Sequence, residues 1–260
     1  MTHLFDEATS LVDVGDGRYR GAVGDEWSIA GVPNGGLLMG AALRGALAAT
    51  GAPDPLTMTT HFLSASSPGP FDLAVDVVKQ GRRFSTASVA LVQEDRERSR
   101  SLITLGDLST MAGPTVSRLR PPEVDEGAPV TGGVPVGFVR MAERFEFRVP
   151  EIFSWANDSP TGEPEIHGQI RFADGREPDL VSAPLLLDAF PPTTFQLEEV
   201  GWSPTLEMTV HFRARPAPGW CTGALEARNI VAGLFEEDGV LWDSTGTVVA
   251  MSRQLAMLPS

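Results

Sequence analysis

From Leu37 to Ala49 the chain is built from Leu, Met, Ala and Gly with a single charge, Arg44. These are mostly strong helix formers, and the stretch is apolar nearly all round, which predicts a buried helix. Asn34 is placed to cap its start, and Gly51 with Pro53 to end it. The pattern then changes period. Met58 to Leu63, Phe71 to Lys79, Phe84 to Glu94 and Ser101 to Ser109 are rich in β-branched and aromatic residues and separated by turn sequences, so each predicts a strand. Two shorter strands are expected before the helix, Arg18 to Val23 and Glu26 to Ile29. One buried helix followed by antiparallel strands is an α+β arrangement, a sheet wrapped around a helix.

The pattern is then written a second time. Residues 56–69 and 206–219 agree without a gap at Leu56/Leu206, Met58/Met208, Thr59/Thr209, His61/His211, Phe62/Phe212, Pro68/Pro218 and Gly69/Gly219. A period this long is domain-sized, so two tandem copies of one domain are expected. Between them, Pro114, Pro121, Pro122, Pro129 and Pro135 occur with Gly127, Gly132 and Gly133 and few apolar residues, a linker composition. The expected division is residues 1–113, linker 114–137 and residues 138–260, with the second copy restarting at Phe138. Strands are expected at Phe145 to Val149, Ile166 to Phe172, Leu206 to Arg213, Gly223 to Asn229, Gly233 to Trp242 and Thr247 to Met257. The helix of the second copy falls on Pro184 to Phe190, and Pro191-Pro192 must shorten or bend it.

Composition narrows the function. Hydrophobic content of 42% and charged content of 21% are those of a soluble globular protein. A net charge of −14 argues against a nucleic-acid partner, whose phosphates need a basic surface. The lone cysteine, Cys221, allows no disulfide framework, and the four histidines show no metal-ligand spacing, so neither metal nor cofactor is expected. The start Met-Thr-His-Leu-Phe-Asp-Glu has neither the basic residues nor the apolar core of a signal peptide, and no apolar run is long enough for a membrane span. A cytoplasmic location is expected.

A Gly-Gly-Leu-Leu helix start, a His-Phe strand ending in Pro-Gly, and Gly-Arg-Arg-Phe-Ser-Thr-Ala-Ser-Val at 81–89 resemble the hotdog fold. With the duplication and the terminal run Ala250-Met251-Ser252-Arg253-Gln254-Leu255-Ala256, the chain resembles the acyl-CoA thioesterase II family of double-hotdog proteins. That resemblance implies hydrolysis of an acyl-CoA to fatty acid and CoA by an activated water, without cofactor, in a homodimer of double-hotdog chains. It also implies a site made of an Asp, a Ser or Thr, and a Gln from the second copy. Aligned by motif, these fall on Glu207, on Arg228 (or Asn229 one residue on), and on Gln254.

Each candidate has an ordinary reading beside it. Glu207 is either the water-activating base or a carboxylate on the solvent face of an alternating strand. Arg228 replaces a hydroxyl with a fixed cation, and is equally suited to pair with Glu207 or Glu226. Asn34, Gly35 and Gly36 offer amides at a helix start for substrate binding, or simply a cap and tight packing. His61 and His211 recur as a duplicated structural position would. The departures at Glu207 and Arg228 keep a second function open, a non-catalytic acyl-CoA or acyl-chain binding protein. An enoyl-CoA hydratase of the same fold would need an Asp and a His together on one segment, which the chain does not show.

Overall fold

The computed structural model describes residues 2–125, 130–132, 139–148, 154 and 159–259. The first half contains helix α1 (Leu4–Ala8), strands β1 (Val12–Gly15), β2 (Arg18–Val23), β3 (Ser28–Ile29) and β4 (Val32–Pro33), and the long helix α2 (Gly35–Thr50). It continues with β5 (Asp54–Phe62), β6 (Gly69–Lys79), β7 (Ser85–Gln93) and β8 (Arg96–Gly106). The second half contains β9 (Thr131–Gly132), β10 (Phe145–Arg148), β11 (Glu165–Phe172), helix α3 (Ala183–Asp188), β12 (Thr205–Phe212), β13 (Cys221–Val231), β14 (Leu234–Trp242) and β15 (Val248–Met257).

Among the described residues, all strands except β3 and β4 form one antiparallel sheet of 13, in the order β1-β2-β6-β7-β8-β5-β12-β15-β14-β13-β11-β10-β9. The order reads outward from the β5–β12 seam as the same series twice: β5, β8, β7, β6, β2 on one side and β12, β15, β14, β13, β11 on the other. At the seam Thr59 faces Thr209, Glu207 faces His61, and Thr57 faces His211, so equivalent residues meet about a pseudo-two-fold axis. The protein is a double hotdog, two copies of an antiparallel sheet wrapped around a helix.

Helix α2 is the larger of the two wrapped helices. Asn34 caps it, its side-chain oxygen accepting from the Leu37 amide at 3.0 Å. Gly51, at φ 68°, ends it in the left-handed conformation that glycine adopts without a Cβ clash. Of its 16 residues 11 are buried and only Ala48 is exposed, as a helix apolar on nearly all sides requires. Helix α3 has six residues and stops at Asp188, three before Pro191-Pro192. Proline removes an amide and excludes helical backbone from the residue before it, so the chain leaves the helix and enters a short 3-10 turn at Thr193–Leu197.

Some expectations shift. Glu26 to Ile29 is not one strand: Asp25–Trp27 make a 3-10 turn that carries Trp27 into the core at 1% exposure, and only Ser28–Ile29 pair. Within the expected linker, Thr131–Gly132 form the edge strand β9 against β10. Phe138 and Val149, where the second copy and its first strand were expected to begin and end, lie outside the described residues. Among those described, no helix is long and apolar enough to cross a membrane.

Candidate active site

Where α3 ends, its last side chain meets the start of α2. The Gly36 amide donates to Asp188 Oδ2 at 2.8 Å, and Asn34 Nδ2 donates to the Asp188 carbonyl oxygen at 3.2 Å. Position 36 has no room for a larger residue: a Cβ there would lie 2.6 Å from the Pro184 carbonyl oxygen and 2.7 Å from Leu185 Cα. The missing side chain is what lets α2 and α3 approach closely enough for the amide to reach the carboxylate. Burial pushes the Asp188 carboxyl up to about 7; the Gly36 amide opposes this, and the nearby charge of Glu237 adds to it.

The sheet supplies the rest. On the inner face Glu237 pairs with Gln254, and Gln254 with Met208. Alternation should then place Leu206 inward and Thr205 outward. A β-bulge between Thr205 and Glu207 reverses this, pairing Thr205 with the buried Ala256. The extra residue re-aims one side chain without disturbing the strand beyond it. Thr205 Oγ1 consequently donates to Gln254 Oε1 at 2.7 Å, and Gln254 Nε2 donates to Glu237 Oε1 at 2.7 Å. Glu237 Oε2 accepts from the Thr193 amide at 2.8 Å. At 2% exposure Glu237 is a fully buried carboxyl, and burial raises its pKa against these hydrogen bonds.

Asp188, Glu237, Thr205 and Gln254 all line one cavity of about 370 Å³. Asn34 and Gly35 line it at the start of α2, and its remaining wall includes Leu38, Phe62, Phe147, Phe190, Phe195 and Phe235. A greasy chamber with a few convergent polar groups suits an apolar chain carrying one reactive polar end.

Comparison with known proteins identifies the family. Residues 23–106 match the acyl-CoA thioesterase N-terminal domain, and residues 102–258 match the acyl-CoA thioesterase C-terminal domain. The chain belongs to the acyl-CoA thioesterase family. An uncharacterised protein of Mycobacterium tuberculosis is 29% identical over 267 residues, covering 93% of this chain and 91% of its own length. The structure of a thioesterase II candidate from Thermobifida fusca YX superposes with TM-score 0.91 at 29% identity, covering 100% of this chain and 98% of that one. A hot dog fold protein of unknown function from Alicyclobacillus acidocaldarius superposes with TM-score 0.88 at 21% identity, over 100% and 99% of the two chains, and speaks for the fold. As a member of this family the protein is a thioester hydrolase.

Within that family frame, the structure gathers some of the expected residues and separates others. Gln254, Asn34 and Gly35 reach the cavity, and Gly36 holds Asp188. Glu207 does not line it. Past the bulge its strand phase turns it to the outer face beside His61, where its Oε1 accepts from Thr209 Oγ1 at 2.6 Å. Arg228 is the extra residue of another bulge, between Ala227 and Asn229, and its side chain is 65% exposed. It pairs with Glu226 at 2.8 Å and does not reach Glu207. Asn229 is exposed on the same strand and is likewise absent from the cavity wall. His61 and His211 are exposed on the outer face.

The motif alignment passed over Asp188, Thr205 and Glu237. Two of them left a trace in the sequence. Asp188 is the one charge in Leu185-Leu186-Leu187-Asp188-Ala189-Phe190, and Glu237 falls in phase with Phe235 and Leu241 on the buried side of its strand. A carboxylate in an apolar phase is seldom idle. Thr205 left none, because its inward orientation depends on the bulge.

Proposed function

We propose that this protein hydrolyses acyl-CoA thioesters to the free acid and CoA, with Asp188 as the base. The acyl chain lies against the phenylalanine wall, and the thioester carbonyl faces the start of α2. Asp188 takes a proton from a water, whose oxygen attacks the carbonyl carbon. The tetrahedral intermediate then collapses, the C–S bond breaks and the thiolate leaves. Thr205 spends its proton on Gln254, so its oxygen lone pairs are free to accept from that water. Gln254 spends one amide hydrogen on Glu237, which leaves the second for the water or the developing oxyanion. The Gly35 amide, in the first turn of α2, has no intrahelical acceptor and is the backbone donor for the same oxyanion.

The observation that carries this reading is the half-buried Asp188 carboxyl, held by a backbone amide in an apolar chamber and raised to about 7. A carboxyl poised near neutrality is matched to proton abstraction at physiological pH. The resemblance implied an Asp, a hydroxyl residue and a Gln; Asp188, Thr205 and Gln254 supply these types in one chamber, where Glu207 and Arg228 do not. The binding-only alternative rested on departures at those two positions, and loses its motive once the roles move. Thiol release from a panel of acyl-CoAs, compared between wild type and Asp188→Asn, tests the assignment. Loss of turnover in the variant with acyl-CoA binding retained supports it, and unchanged turnover removes Asp188. The same reading takes the functional unit to be a cytoplasmic homodimer of double-hotdog chains, a point that rests on the family resemblance and is open to sedimentation.

A further inference from the structure

We infer that Glu237 is a positioning residue of this site: it fixes which end of the Gln254 amide meets the substrate. The inference rests on the proposed hydrolytic reading and extends it to a residue that touches neither water nor thioester in that scheme.

The argument begins with donors and acceptors. An amide side chain has two nearly isosteric ends, and only its partners decide which end points where. Thr205 cannot decide, because a hydroxyl serves either end, donating to an oxygen or accepting from an N–H. Glu237 can. Both of its oxygens act as acceptors here, so it admits Gln254 Nε2, at 2.7 Å, and refuses the oxygen. Its second oxygen accepts from the Thr193 backbone amide at 2.8 Å, an immovable donor placed by the 3-10 turn after Pro191-Pro192. Held from both sides, the carboxylate stays put and the amide it holds has one orientation. The cost of a fully buried carboxylate makes sense as the cost of this selection.

Replacing Glu237 by its isostere turns the selection around. In Glu237→Gln the Thr193 amide claims the single carbonyl oxygen, so the new side chain presents its NH2 to Gln254. Two NH2 groups cannot face each other, and Gln254 must flip, turning its oxygen to position 237 and its nitrogen to Thr205. The cavity then meets a differently oriented amide, and Thr205 accepts from Gln254, which frees its own proton to donate elsewhere.

A second consequence concerns charge. Around Asp188, α2 contributes the Gly36 amide and the neutral Asn34, and its one charged residue, Arg44, is committed to Asp6. From β15, Arg253 lies on the outer face paired with Asp238 of β14, and Glu236 is on that outer face too. The turn Thr193–Leu197 carries no charge. Glu237 is the like charge that acts on Asp188, so neutralising it lets Asp188 ionise at lower pH.

The experiment compares wild type, Asp188→Asn, Glu237→Gln and Glu237→Asp by thiol release from acyl-CoAs across pH. In parallel, the Gln254 side-chain amide is observed by 15N NMR and assigned through its loss in Gln254→Leu. Glu237→Gln is expected to lower kcat by about 10²-fold with KM nearly unchanged, to move the acid limb of kcat/KM to lower pH, and to displace the Gln254 amide signal. Glu237→Asp, which keeps two accepting oxygens, should restore the amide signal, the acid limb and part of kcat. A Glu237→Gln enzyme with wild-type kcat, an unmoved limb and an unmoved amide signal overturns the inference, even where it melts at lower temperature. If Glu237→Gln does not fold, a Glu237→Asp protein whose Gln254 amide is mobile and exchange-exposed overturns it instead. Full turnover in Asp188→Asn sinks the hydrolytic reading alone, because the amide signal still decides between Glu237 and Gln254.

Discussion

The two halves of this molecule share a fold, and four inward-facing positions set their chemistry apart. Strand pairing identifies the equivalents. Gln254 lies opposite Met208 and beside Glu237; in the first half Ile103 lies opposite Met58 and beside Ala87. The bulge that turns Thr205 inward recurs between Pro55 and Thr57, with Pro55 in the threonine's place. The offset that aligns the repeats puts Leu38 opposite Asp188. The first half therefore holds Ile103, Ala87, Pro55 and Leu38, all buried, where the second holds Gln254, Glu237, Thr205 and Asp188. Backbone architecture, bulge included, is common property; chemistry has been placed in, or kept by, one copy. The apolar copy is not a bystander, since the start of α2 lends the amide of Gly36 to the other half's carboxylate, and Asn34 and Gly35 to the cavity wall.

That asymmetry can be broken in several ways. The largest effect is expected from Asp188→Asn, which removes the base while keeping the shape: kcat should fall by about 10²- to 10⁴-fold, read as thiol release. Next comes Gly36→Ala, whose methyl group would drive against the Pro184 carbonyl oxygen and Leu185 Cα. It should cost about 1–3 kcal/mol of stability in chemical denaturation and reduce turnover as Asp188 loses its amide. Transplanting the polar residue the other way, Ile103→Gln should cost roughly 1–3 kcal/mol with no gain in activity, because the first half has no Glu237 or Thr205 to satisfy the amide. The smallest effects belong to the outer face: Glu207→Gln and Arg228→Ala should leave kcat within about twofold and stability within about 0.5 kcal/mol.

A pH effect follows from the same carboxyl. Asp188 has a folded pKa near 7 against an ordinary 3.8, so the folded state holds a proton that the unfolded chain has already released between those values. The stabilisation is complete below about pH 4 and is lost as pH rises towards 7, by up to about 4 kcal/mol for a shift of this size. Asp188→Asn should abolish this dependence and melt at a higher temperature than wild type at pH 8, an exchange of activity for stability.

Much of this is legible in the sequence. The α2 helix declared itself by composition, the strands by alternation and turns, and the doubling by the Leu-x-Met-Thr-x-His-Phe repeat, which lies on the β5–β12 seam. The site was legible only in part. Gln254 and the Asn34-Gly35-Gly36 start of α2 stand at positions that sequence motifs mark. Glu207 drew attention because it replaces Thr57 in the repeat, yet a repeat difference carries no information about which face a residue occupies. Glu207 faces outward because it alternates with the buried Met208; the one-residue bulge at Leu206 decides the face of Thr205, and bulges leave no local signature in an alternating run. Asp188 stood outside the matched block, in a helix of six residues before two prolines where the first half has a helix of sixteen.

The central claim is that the reactive carboxyl is Asp188. The direct measurement is the pH dependence of kcat/KM for acyl-CoA hydrolysis in wild type and in Asp188→Asn, with Glu207→Gln as the outer-face control. The account predicts a wild-type acid limb near pH 7, the same limb in Glu207→Gln, and no measurable limb in Asp188→Asn because turnover is lost. Wild-type turnover in Asp188→Asn together with loss in Glu207→Gln would contradict it.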